Sequence, residues 1–110
     1  MDRKKVDQII RLYLKDLSKK IKVDKVILFG SAASGKFNQD SDIDLLILSA
    51  EFAKMSIGDR FDLLAMARRS RLTQITPMDI FGLTPDEYNN GNYFSVIGEI
   101  KETGREVYFS

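Results

Sequence analysis

The sequence predicts an α+β domain with a short mixed β-sheet flanked by helices. Two observations carry this. Apolar spacing changes along the chain: it is three-and-four near the start, becomes a short continuous run at 26–29, and gives short strand-like segments at 43–48 and 78–81. Read in order, the segments run helix, strand, strand, helix, strand, helix, strand. At 110 residues with 44% hydrophobic side chains, the scaling of surface with mass gives about 6,200 Å² of folded surface, enough for one core. The expectation is therefore one domain spanning residues 1–110.

Taken in order, residues 3–21 read as a helix, because Val6, Ile9, Ile10, Tyr13, Leu17 and Ile21 form one apolar stripe opposite Lys and Arg. Val26 to Phe29 is a strand covered on both sides, ended by Gly30. Residues 31–41 are small and polar, which suits a helical turn and a loop. Ile43 to Leu48 is the second strand. Residues 59–71 read as a helix with Phe61, Leu64, Ala65 and Leu72 on one side. Met78 to Phe81 is the third strand, preceded by Pro77. Asn89-Asn90-Gly91 is a turn, 93–102 a helix with Gly104 near its C-cap, and 106–109 a last strand.

Composition excludes several chemistries. There is no Cys and no His, so disulfides, thiolate or imidazole metal sites and a Ser-His-Asp triad cannot be built. A general base must be Asp, Glu, Lys or Tyr. No apolar run reaches the ~20 residues of a membrane span and no signal peptide is evident, so a cytoplasmic location is expected. The formal charge of +1 conceals a gradient: residues 1–25 carry nine basic and four acidic groups, and 81–110 two and five. The basic first helix suits a solvated face, with contact to RNA or an acidic partner as the alternative. Arg68, Arg69 and Arg71 fit a helix C-terminus, where cations complement the dipole.

Gly30 to Lys36 fits G-x-x-x-x-G-K after a strand, yet Phe37 stands where a Walker loop needs a hydroxyl for Mg²⁺. A P-loop also opens into a long helix, and here a new strand starts within a few residues. The glycines have another reading. Gly30 permits a sharp bend, Ser31 offers a hydroxyl and an N–H, and Gly35 can let a ligand approach the backbone. An ordinary turn is the bland alternative.

In Ser41-Asp42-Ile43-Asp44-Leu45-Leu46-Ile47 the two acids are two apart, so they share one strand face about 6.6–6.8 Å apart, while Ile43, Leu45 and Ile47 enter the core. Neighbouring carboxylates repel unless a cation lies between them, and oxygen-only ligands suit Mg²⁺. A lone D-x-D also fits a solvated strand end. A phosphate-holding bend just before such a strand makes the pair more informative than either part.

Phe29-Gly30-Ser31 through Ser41-Asp42-Ile43-Asp44-Leu45 resembles the signature of the DNA polymerase beta-like nucleotidyltransferases, most closely their minimal bacterial and archaeal branch. The resemblance implies a small palm-type domain and transfer of a nucleoside monophosphate, AMP from ATP or another NTP, to an acceptor hydroxyl. It implies that Gly30 and Ser31, with Gly35 and Ser41, hold the nucleotide, and that Asp42 and Asp44 hold two Mg²⁺. Asp79, in Pro77-Met78-Asp79-Ile80-Phe81, matches the third family carboxylate and would share a metal and take the acceptor's proton. Members of this branch often pair with a helical HEPN protein as its antitoxin, so a partner protein is the implied acceptor. The alternatives are a catalytically weak module that masks a helical partner, or a subunit acting on a small molecule such as an aminoglycoside. A homo-oligomer is also compatible. One feature departs from the pattern: many relatives carry Arg between the two glycines, and here those positions are Ala32, Ala33 and Ser34. Tyr88, Tyr93 and Phe94 suit core packing, with base stacking as the alternative.

Overall fold

The computed structural model describes residues 3–34, 42–91, 98, 100 and 104–107. Helix α1 (Arg3–Leu17) is followed by strand β1 (Lys25–Phe29), a one-turn helix α2 (Ser31–Ser34) and strand β2 (Ile43–Leu48). A 3-10 turn (Ala50–Lys54), helix α3 (Ile57–Met66) and helix α4 (Arg71–Ile75) lead to strand β3 (Met78–Leu83), helix α5 (Pro85–Asn90) and strand β4 (Arg105–Glu106). The sheet order is β3-β2-β1-β4. β1 runs antiparallel to β2 and β4, and β2 runs parallel to β3, so the sheet is mixed as expected.

Strand alternation sorts the apolar side chains into two cores. On one face Val26, Leu28, Ile43, Leu45, Ile47, Met78 and Ile80 meet Val6, Ile9, Ile10, Tyr13 and Leu17 of α1, with Phe52 and Leu64. The stripe read from the sequence is its buried face as far as Leu17, where α1 ends; the helix expected to 21 stops there, and Ile21 is buried beyond it. The Tyr13 hydroxyl donates to the Leu64 carbonyl at 2.8 Å, and burial raises its pKa. On the other face Ile27, Phe29, Leu46, Leu48, Leu83 and Ile100 form a smaller core, with Phe81 and Tyr88 against it. Tyr88 thus packs on the sheet. Gly82 lets Phe52 lie against β3, because a Cβ there would stand 2.8 Å from the Phe52 ring.

Some expectations need correction. The helix expected over 59–71 ends at Met66, and a second helix begins at Arg71. α3 starts earlier, where Ser56 accepts from the Asp59 N–H, and Ser70 caps α4 by accepting from the Thr73 N–H. Between them Arg68 turns back, donating to the Thr73 and Thr76 carbonyls at 2.9 and 2.7 Å. Apolar periodicity does not register a polar cap that divides one amphipathic run into two. Phe61, expected on the buried side with Leu64, is 46% exposed. The turn expected at 89–91 is the end of α5, which Thr84 and Glu87 start with a reciprocal capping box and Gly91 ends at φ +68. Of the last strand expected over 106–109, Glu106 is in a strand that starts at Arg105 and Val107 lies outside it, while residues 108 and 109 lie outside the described residues. Of the helix expected over 93–102, Gly98 and Ile100 are helical and Ile100 is buried; Tyr93, Phe94 and most of the rest lie outside the described residues. Gly104 donates to the Ile100 carbonyl at 2.6 Å, in keeping with a helix end.

One buried cation ties the later elements together. Arg60 of α3 donates to the Phe52 carbonyl at 2.7 Å, the Gly82 carbonyl at 3.2 Å and both Glu87 oxygens. Its guanidinium carbon also lies 5.6 Å from the centre of the Phe52 ring. These bonds supply the partners a buried guanidinium requires. The Arg60 hydrogen bonds hold the Glu87 carboxyl below the ordinary carboxylate range.

Candidate active site

The site forms where three strands end side by side. Register places Phe29 of β1 opposite Asp44 of β2, and Asp44 beside Asp79 of β3. Lateral neighbours in a sheet point to the same face, so Phe29, Asp44 and Asp79 make one row. Asp42 stands one residue before β2, which spans Ile43–Leu48 as expected. Even so, Asp42, Asp44 and Asp79 each direct a carboxylate oxygen to within 4.8 Å of the other two. Asp42 and Asp79 are exposed and Asp44 is half-buried.

The glycine bend and the acidic row are one construction. Gly30 follows β1 at φ +73, the left-handed region that side chains disfavour. A Cβ at Gly30 would lie 2.2 Å from Oδ2 of Asp44. Only a residue without a side chain lets the Asp44 carboxylate occupy that place. Ser31 follows at the start of α2 and is half-buried. Ala32 is buried in the larger core and Ala33 packs against it. Ala32 therefore faces protein, and Ala33 is half-buried beside it. Gly35, Lys36 and Ser41 lie outside the described residues.

The acids are hard oxygen donors converging from two adjacent strands and the approach to one of them. Such a set fits a small divalent cation, which takes one or two carboxylates and leaves positions for phosphate oxygens. The next row on the same face is apolar: Leu46 lies beside Phe81 and opposite Ile27. Phe81 is 6.1 Å from Phe29 and 6.2 Å from Phe61, centre to centre. Alternation along the strand puts Phe81 on the Asp79 face, whereas the approach of Phe29 and Phe61 to it depends on strand pairing and on the placement of α3. Beyond Asp79, a groove of about 230 Å³ runs between α3 and β3, lined by Phe61, Leu64, Ala65 and Arg68 on one side and residues 78–81 on the other. Away from the acids, Lys19, Lys20 and Arg69 gather with Asp16 in a separate polar hollow.

A sheet of this order with convergent acids on two adjacent strands, beside a glycine bend, defines a nucleotide-transfer fold. The chain belongs to the nucleotidyltransferase domain family, whose pattern it matches over residues 9–107, and it is a nucleotidyltransferase. It is 35% identical over 102 residues to a provisionally named protein adenylyltransferase of Methanocaldococcus jannaschii, covering 91% of this chain and 96% of that one. The fold is shared with a crystal structure of a provisionally named nucleotidyltransferase from Sulfolobus solfataricus, at a TM-score of 0.61 and 21% identity, over 79% of this chain and 77% of that one. No helix among the described residues is long and apolar enough to cross a membrane.

Proposed function

We propose that this chain transfers AMP from ATP to a hydroxyl group on a protein. The observation that carries the reading is the convergence of Asp42, Asp44 and Asp79 against the side-chain-free bend at Gly30. The name of the Methanocaldococcus relative, a protein adenylyltransferase, favours a protein acceptor. In this reading the bend at Gly30 and Ser31, with Gly35 and Ser41, holds the triphosphate, and Asp42 and Asp44 face it. Divalent ions held by the three acids would offset the phosphate charge and favour loss of the acceptor proton. The acceptor oxygen attacks the α-phosphorus. The bond from that phosphorus to the oxygen bridging to the β-phosphate breaks, and pyrophosphate leaves with the electron pair. Asp79 is exposed at the outer side of the row, so it can receive the acceptor's proton and pass it to water.

Exposed apolar side chains favour a protein partner as well. Ile57 and Phe61 stand out from α3 at 41% and 46% exposure, and Met66 and Ile75 at 65% and 63%. We propose a helical protein of the HEPN type as that partner, with this chain as its antitoxin-like subunit. The test is incubation with Mg²⁺, labelled ATP and the protein encoded beside it. A mass gain of one AMP on the partner, lost in Asp42→Asn and Asp44→Asn proteins that still fold, supports the reading. Tight binding at unchanged partner mass supports a masking module instead, and wild-type turnover in either variant refutes the assignment of the acids.

A further inference from the structure

We infer that the acceptor enters as an extended peptide that pairs with the outer edge of β3, bearing its hydroxyl residue opposite Asp79 and apolar residues on either side. This deepens the proposed protein-modifying reading and rests on it. β3 is the edge strand of the sheet order. Its bonds to β2 begin with the Ile43 N–H donating to the Pro77 carbonyl and end with the Ser49 N–H donating to the Leu83 carbonyl. Alternation along a strand therefore directs the main chain of Asp79 and Phe81 toward β2 and that of Met78, Ile80 and Gly82 outward. Gly82 is already engaged, since its carbonyl accepts from Arg60. Among the described residues, nothing takes the outward groups of Met78 and Ile80. They border the groove between β3 and α3, and unpaired strand edges are templates for an added strand.

Register then decides what the added segment presents. A strand paired at Met78 and Ile80 sets one residue beside Asp79, about 4.8 Å away in the pairing direction. Its side chain points to the same face as Asp79, toward Asp42 and Asp44. The residues before and after it point to the other face, that of Met78 and Ile80, where Leu64 and Ala65 of α3 wall the groove. Apolar flanking residues fit there, and charged ones would lose solvent without a partner. Arg68 lines the groove's far side while held by the Thr73 and Thr76 carbonyls.

The experiment uses acetylated heptapeptides with a central Ser, Thr or Tyr, flanked by Val and Leu or by Glu and Lys, with Mg²⁺ and labelled ATP. Titration with a fluorescent ATP analogue comes first. The expected result is labelling at least tenfold faster for the apolar-flanked set. A scan of single backbone N-methyl groups should then cut labelling at least tenfold at alternate residues, and less than twofold at those between. Whichever phase appears supports pairing and gives the direction of the added strand. Uniform tolerance of N-methylation, or no labelled peptide from a protein that binds the nucleotide, overturns the inference. A protein that binds no Mg²⁺ and ATP fails at the acidic site itself, and the first titration tells that failure apart.

Discussion

Replacing Gly30 with alanine should cost this protein far more activity than stability. The left-handed φ of +73 carries a penalty of about 1–2 kcal/mol for a residue with a Cβ. At about 4–8 °C per kcal/mol for a domain near this size, the melting temperature should fall by roughly 4–16 °C. The second effect is positional. The new methyl would lie 2.2 Å from Oδ2 of Asp44 and 3.2 Å from its carboxyl carbon. The carboxylate must retreat by more than about 1 Å to regain ordinary contact, and misplacement on the 1 Å scale already lowers turnover about 100-fold. Thermal melting and transfer of labelled AMP, measured on the same preparation, separate the two effects. An unchanged melting temperature would refute the strain argument. A folded Gly30→Ala protein with wild-type turnover would refute the claim that the bend sets the carboxylate.

Three further variants have expected outcomes. Arg60→Met should destabilise by about 3 kcal/mol, because it leaves Glu87 and the Phe52 and Gly82 carbonyls without their cation. The Glu87 carboxyl lies below its ordinary range in the folded protein, so the pair's contribution is complete above an unfolded carboxyl pKa of about 4.3 and is lost as pH falls through the lower folded value. Urea melts should therefore show Glu87→Gln least stable relative to wild type at neutral pH, with the gap closing in acid; a gap that is constant with pH refutes the assignment. Asp79→Asn should leave the metal-free fold as stable as wild type or more so, since it relieves repulsion among acids whose oxygens lie within 4.8 Å. The same variant should lose most of the Mg²⁺-induced rise in melting temperature, and an undiminished rise would show that the ion binds elsewhere.

Much of the scaffold is legible because it follows from periodicity. The α1 stripe, the runs at 26–29 and 43–48 and the alternation around Asp44 and Asp79 each specify which side chains are buried, and the structure buries them. What escaped depends on single polar contacts. Ser70 and Arg68 divide one apolar run into α3 and α4, and the capping box at Thr84 and Glu87 starts a helix where composition suggested only a turn. Such bonds leave no periodic trace. Phe61 was misplaced for a related reason: on a helix beside a sheet edge, the apolar stripe extends past the covered sector, and only the packing shows where cover ends.

The order of residues alone determined that acids two apart would face one way and that Gly30 would bend the chain just before them. It also excluded thiol and imidazole chemistry. The third carboxylate is different. Asp79 is 35 residues from Asp44 in the chain, and its place beside Asp44 follows from parallel pairing of β3 with β2. That pairing is a long-range choice governed by how α1, α3 and the 3-10 turn cover the sheet. Tertiary structure likewise made Gly30 the space into which Asp44 fits. Local sequence fixes where a side chain points along its own strand, whereas packing between distant segments decides which strands become neighbours.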